Sequence, residues 1–276
     1  MNRALRILPV AALLAMSVFG VAGTPAAAAG TCPPSPAPGS TVFGNVNVNT
    51  SVGSPPFPPC VLDHVTVMGN VTVGLGNQLI LKNGANVTGT VSVGTGGTLT
   101  VQSGSTISGL VTLTDAVLTI QNSSLLHGMS GSVGGPATIT IIASAISGPL
   151  TLSATGPAVA TICGSQLNGA VQLSAFNTSG SKVGDPGGAG TGDPTDCAGN
   201  TITGSLTVNG AGGMEIEGNK IAGKNALSLN GVTGALAGNQ ITGTATCTSS
   251  FTPFFPVDAD DTTPNTYNGA NNGCPL

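Results

Sequence analysis

Glu215 and Glu217 stand two residues apart in Met214-Glu-Ile-Glu, a spacing that puts both carboxylates on one face of a strand. Paired carboxylates are the equipment of general acid–base chemistry on a glycosidic bond. Lys220 and Lys224 follow closely, so a solvated charge patch is the better reading of the same residues. Asp63 and His64 are adjacent, but neighbours on a strand point to opposite faces, and His64 reads as an ordinary surface or turn residue. Two acidic loops carry the hard oxygens that Ca²⁺ prefers: Asp185, Asp193 and Asp196 in a glycine-rich stretch, and Asp258, Asp260 and Asp261 in Val-Asp-Ala-Asp-Asp. Neither loop has the EF-hand spacing, and solvated loops are the plainer account of both. No cofactor is otherwise expected.

Charge narrows the partners. Residues 1–29 read as a secretory signal peptide: Arg3 and Arg6 form a basic start, Ile7 to Ala22 an apolar run, and Thr24-Pro-Ala-Ala-Ala-Ala-Gly a cleavage region of small residues cut near Ala29. Both arginines leave with it, and four lysines then face ten carboxylates, a formal charge of −6. Phosphate recognition has few donors to draw on, which argues against nucleic acid and anionic lipid as partners. No later segment is apolar for long enough to span a bilayer, so no membrane attachment is expected after cleavage. The expected destination is extracellular.

The elements that must position these side chains follow from a repeat. Aliphatic-x-Gly-x-aliphatic-x-aliphatic recurs about every 20 residues, as in VMGNVTV (67–73), VTGTVSV (87–93), ISGLVTL (107–113) and ITGSLTV (202–208). The motif glycines run Gly44, Gly69, Gly89, Gly109, Gly128, Gly148, Gly169, Gly204, Gly223 and Gly243. A fixed period of this length is the signature of a solenoid. Two residues before each glycine is an aliphatic, from Val42 to Leu126 and Ile241, and two and four residues after it come pairs such as Val71/Val73 and Leu206/Val208. About ten residues before the next glycine lies a second alternating strand, as in Leu79-Ile-Leu and Leu118-Thr-Ile. Period-two alternation of this kind marks strands with one buried face.

Four residues before each glycine runs a ladder of small and amide side chains: Ala85, Ser105, Ser124, Ser144, Ser165, Asn200, Asn219 and Asn239. Side chains stacked at a turn can bond up and down the stack, so the ladder reads as structural. Outward positions carry hydroxyls, such as Thr72, Ser92, Thr112 and Thr207 on one strand and Thr100, Thr119 and Thr140 on the other. They make uncharged ridges suited to a glycan or an ice lattice, although threonine also serves simply as a soluble strand former.

Six cysteines in an exported chain suggest three disulfides. Cys163 and Cys197 occupy equivalent places on successive rungs, which makes a stacked bridge natural; Cys32–Cys60 and Cys247–Cys274 then staple the two ends. A metal site would need clustered Cys and His at short spacing, which the chain lacks. The expected organisation is an N-terminal cap segment at 30–41, a β-helix domain at 42–248 with an insertion at 176–196, and a C-terminal cap at 249–276 holding Phe251, Phe254, Phe255 and Tyr267. The fold class is all-β: a single-domain, disulfide-stapled parallel β-helix (β-solenoid) of about ten rungs of ~20 residues.

Over roughly residues 40–248 the rung length, aliphatic ladders and Asn/Ser turn ladder resemble secreted right-handed parallel β-helix proteins of the broad pectate-lyase-like class. That resemblance implies polysaccharide lyases and hydrolases as candidate activities, using Ca²⁺-binding aspartates with an arginine or lysine base, or aspartates on adjacent rungs with a histidine. The sequence departs from this pattern: the mature chain has no arginine, and Asp63, Asp115, His64 and His127 do not recur in phase. The expectation is a non-catalytic chain with a structural, adhesive or surface-binding role towards extracellular or cell-wall polysaccharide. The competing reading is a polysaccharide-acting enzyme with an atypical site near the insertion or at Glu215 and Glu217.

Overall fold

The computed structural model describes residues 27–32, 35–49, 58–177, 179–185, 197–248 and 263–275. These form a parallel β-solenoid whose turns have three sides. Face 1 is a nine-stranded sheet built from strands such as Gln78–Lys82, Thr98–Gln102 and Met214–Glu217. Face 2 stacks strands such as Thr66–Met68, Thr106–Ile107 and Gln240–Thr242, and face 3 stacks Val71–Val73, Val111–Leu113 and Leu206–Asn209. Thr41–Val48 runs through both, which joins faces 2 and 3 into one hydrogen-bonded system. The nine strands of face 1 mark nine complete turns, with partial turns at either end.

Each face follows from its alternation. Val71-Thr72-Val73 pairs in register with Val91-Ser92-Val93 and then Val111-Thr112-Leu113, so every inward aliphatic lies on another aliphatic and every hydroxyl on a hydroxyl. The inward residues make one continuous core from Cys32 to Cys274. Face 2 strands reverse the pattern: a single aliphatic such as Val67, Ile107 or Ile202 points in, and both flanking residues point out. The motif glycines form the corner between faces 2 and 3. A Cβ on Gly169 would overlap the carbonyl of Gly148 one turn below, so close backbone stacking demands glycine there.

Between faces 1 and 2 the chain turns through left-handed backbone. His64, Asn83, Ser103, Asn122 and Ala143 hold φ of 54°, 54°, 57°, 48° and 48° on successive turns, and glycines take over at Gly164, Gly218 and Gly238. Behind this corner runs the buried polar ladder. Asn219 Oδ1 accepts from the Asn200 backbone N (3.0 Å) and Nδ2 (2.9 Å), while Asn219 Nδ2 donates to Val183 O (2.6 Å) and Asn239 Oδ1 (3.0 Å). Asn239 repeats the arrangement with Asn265, and serines continue it below, where Ser165 Oγ donates to Cys163 O.

The three expected disulfides are present, Cys32–Cys60, Cys163–Cys197 and Cys247–Cys274, with Cα separations of 5.5, 5.5 and 4.9 Å. The phase differs from the sequence reading in one turn. Ile107 pairs with Leu125, which is buried, whereas Leu126 is exposed. Ser123, not Ser124, therefore occupies the buried ladder, donating its backbone N–H to Ser144 Oγ. The same register sets His127, not Gly128, at the corner between Gly109 and Gly148.

Two boundaries also move. Ser181–Val183 lies inside the expected insertion but is the regular face 1 strand of its turn, paired with Ala158–Cys163 and Met214–Glu217, and Phe176 is fully buried. The extra length falls between Asp185 and Cys197, which form an antiparallel bridge. The solenoid also continues past residue 248. Thr266–Asn268 stacks on Gln240–Thr242 and Asn271–Asn272 on Ala245–Thr246, with Gly269 at the corner and Asn265 at the end of the ladder. At the other end, Ala27–Cys32 pairs with Thr41–Val48, so the first strand straddles the expected cut near Ala29. The remainder of the expected signal peptide, and Phe251, Phe254 and Phe255, lie outside the described residues.

Candidate functional site

Where the period breaks, face 1 gathers its charges. Lys182 pairs in register with Glu215 on the next turn, and its Nζ lies 3.2 Å from Glu215 Oε2. On the other side Nζ contacts Asp185 Oδ2, three residues on. Partial burial opposes the lysine's charge, but the hydrogen bonds it donates to Asp185 and Glu215 prevail and hold its pKa well above the ordinary range. A lysine so held does not accept a proton at neutral pH, so it does not suit the base of a lyase. Glu217 shares the outward side of the strand with Glu215, yet it is only 1 % exposed. It is thus not part of a solvated patch, whereas Lys220 and Lys224 are exposed.

The structure brings together residues that the sequence placed in separate sites: Asp185 from the Ca²⁺ set and Glu215 from the carboxylate pair meet on Lys182. At Asp185 the Lys182 ammonium engages Oδ2, one of the two oxygens that Ca²⁺ would use. Among the described residues, no group of three or more His, Cys, Asp and Glu side chains is arranged to hold a metal. Asp193, Asp196, Asp258, Asp260 and Asp261 lie outside the described residues.

A second charged group sits at the first turn of face 1. Asp63 Oδ1 accepts from Asn83 Nδ2 (2.9 Å) and His64 Nδ1 (2.8 Å), and Oδ2 lies 3.2 Å from Lys82 Nζ. Adjacent residues meet here because His64 is not in the strand; its left-handed backbone swings the ring back to the carboxylate. The Asn83 and His64 hydrogen bonds, with the Lys82 ammonium, lower Asp63 to about 2. Such a carboxyl gives no proton near neutrality. His127 is likewise engaged, its Nδ1 donating to the Ser108 carbonyl.

Faces 2 and 3 are chemically different. All the carboxylates among the described residues stand on face 1 or in its flanking turns: Asp63, Asp115, Asp185, Glu215 and Glu217. Face 2 presents two parallel outward columns. One runs from Thr41 through Thr66, Asn86 and Thr106 to Gln240 and Thr266; the other runs from Phe43 through Met68 and Thr88 to Thr242 and Asn268. Lys220 is the one charged side chain in them; Phe43, Met68, Leu126, Ala145 and Ala222 are apolar, and the rest are Thr, Ser, Asn or Gln. The sequence showed the hydroxyl column of face 3 but not the doubled columns of face 2, since its strands are only two or three residues long. Beside the first column, at the left-handed corner, small residues open a groove of about 420 Å³ lined by Asn122, Ser124, Ala143, Ala145, Gly164 and Gln166 among others.

No protein-family model matches this chain, and no curated protein or solved structure shows significant similarity to it.

Proposed function

We propose that the chain is exported by its N-terminal signal peptide and acts outside the cell as a non-catalytic, adhesive β-solenoid towards extracellular or cell-wall polysaccharide. The observation that carries this reading is the sorting of charge. Among the described residues the carboxylates stand on face 1 or in its flanking turns, where Lys182 and Lys82 each engage at least one of them, while faces 2 and 3 offer stacked hydroxyls and amides. Hydroxyls and amides both donate and accept, as sugar hydroxyls do, which suits neutral recognition along a rod. The three disulfides fit an oxidising compartment. With so few cations, nucleic acid and anionic membrane surfaces are poor partners.

The Lys182–Asp185–Glu215 group, with buried Glu217 on the same strand as Glu215, favours one second reading: a lyase or glycoside hydrolase with an atypical site. The purified protein would be incubated with plant, fungal and bacterial polysaccharides, scoring retention on the insoluble material and newly formed reducing or unsaturated ends. Retention without new ends is expected. New ends that disappear in Glu215→Gln would establish the enzyme reading instead.

A further inference from the structure

We infer that face 2, together with the groove along its edge, is the docking surface, and that it takes a neutral polysaccharide chain lying parallel to the solenoid axis. This rests on the adhesive reading above and assigns its site and ligand class.

Three independent features converge on this face. The first is the doubled column. Face 2 strands place two side chains outward on every turn, whereas face 3 does so only in its longer strands, such as Leu150–Ala154 and Leu206–Asn209, and elsewhere places one between buried aliphatics, as in Val71–Val73 and Val91–Val93. Hydroxyls and amides therefore repeat at about 4.8 Å along the axis and about 6.7 Å across it, a grid that an extended polymer can engage turn after turn. The second is exposed apolar surface. Among the described residues four large hydrophobic side chains are exposed, and three of them, Phe43 at 54 %, Met68 at 50 % and Leu126 at 46 %, stand in the second column of this face. Phe43 and Met68 are in register on successive turns. Isolated exposed apolar residues need no account, but their alignment in one column does. The third is the groove at the Asn122, Ala143 and Gly164 corner, which runs beside Ser124 and Gln166 of the first column.

Together these features select the ligand. A single lysine among the outward side chains gives no basis for holding an anionic polymer, and the net negative chain repels one. Sugar rings combine hydroxyl edges with apolar C–H faces, so a neutral glycan can bond the Thr, Ser, Asn and Gln columns and stack on Phe43 and Met68. An ice surface would leave those exposed apolar side chains without a role.

The test uses the full secreted chain and three insoluble neutral glycans, microcrystalline cellulose, chitin and β-1,3-glucan, with a polygalacturonate gel as the anionic control. Binding isotherms would be measured for the wild type, for Thr201→Lys/Thr203→Lys and Phe43→Ala on face 2, and for Thr151→Lys/Thr207→Lys on face 3. All altered side chains point outward, and unchanged melting by circular dichroism would verify folding. Wild-type binding to at least one neutral glycan, weakened tenfold or more by both face 2 variants and less than twofold by the face 3 variant, is the expected result. Binding that survives both face 2 variants would overturn this assignment while leaving the adhesive reading intact. No binding to any of the four polysaccharides would overturn both. Retention on polygalacturonate alone, thermal hysteresis of freezing, or a dimer in sedimentation that Phe43→Ala dissolves would each reassign the face, to an anionic glycan, to ice or to a second copy.

Discussion

Asp63 accepts hydrogen bonds from Asn83 and His64 and faces the Lys82 ammonium, an environment that rewards its charged form. Its folded pKa, about 2, lies below the ordinary 3.8, so its contribution to stability is fully present above about pH 4 and is lost as pH falls towards 2. Asn83→Ala removes one of these bonds. A carboxyl carbon NMR titration should then find Asp63 moved upward, and acid unfolding should begin at higher pH; an unmoved Asp63 would show that the pairing has no hold on it. The residue-level chemistry was only half legible. The acids and lysines were visible in the sequence, but which acid meets which lysine depends on stacking register. Lys182 reaches Glu215 across a gap of 33 residues only because their strands are neighbours, and Asp185 joins them because the chain turns back towards Cys197 there.

Short strands leave register to be fixed by what lies between them. The Asn200–Asn219–Asn239–Asn265 ladder supplies that, since each amide satisfies a buried backbone N–H on one turn and a carbonyl on another. Asn219 is fully buried, and Asn219→Ala would strand the Asn200 N–H and the Val183 carbonyl, at roughly 1–3 kcal/mol for each unpaired group. Asn219→Ser should cost less, because serine already fills this place at Ser123, Ser144 and Ser165. Denaturant unfolding of both variants checks the order; equal losses would mean that the ladder contributes nothing beyond volume. Alternation and the glycine period were enough to read two strands of each turn, while the third side, whose strands have only two or three residues, showed only as the aliphatic before each glycine. Phase failed where the sequence doubles its residues. Ser123-Ser124-Leu125-Leu126 fits the repeat in two ways, and only backbone pairing selects Leu125 and Ser123 as the buried members. The last turn was missed for a different reason: Tyr267 replaces the usual aliphatic and Asn271 the next, although Asn265 and Gly269 keep their places. Tyr267 sits on Ile241, its hydroxyl donates to Pro275 O at 2.6 Å, and burial raises its pKa to about 12.

Taken whole, the protein is a three-sided rod closed by bridges at each end, with Cys32–Cys60 at the first turn and Cys247–Cys274 at the last. Terminal turns of a solenoid expose strand edges, and stapling them limits fraying and chain-to-chain pairing. Among the described residues the carboxylates are sorted around the rod rather than along it, to face 1 and its flanking turns. A repetitive surface of this kind engages a polymer through many weak contacts, each new turn adding to those already made. A catalytic cleft recognises only the few units nearest the bond it breaks. The decisive measurement is therefore calorimetric titration with neutral β-linked oligoglucosides of increasing length. Affinity should climb steadily from tetramer to dodecamer while every oligomer is recovered intact. An affinity that levels off at a few sugars, or the appearance of shortened products, would contradict the account.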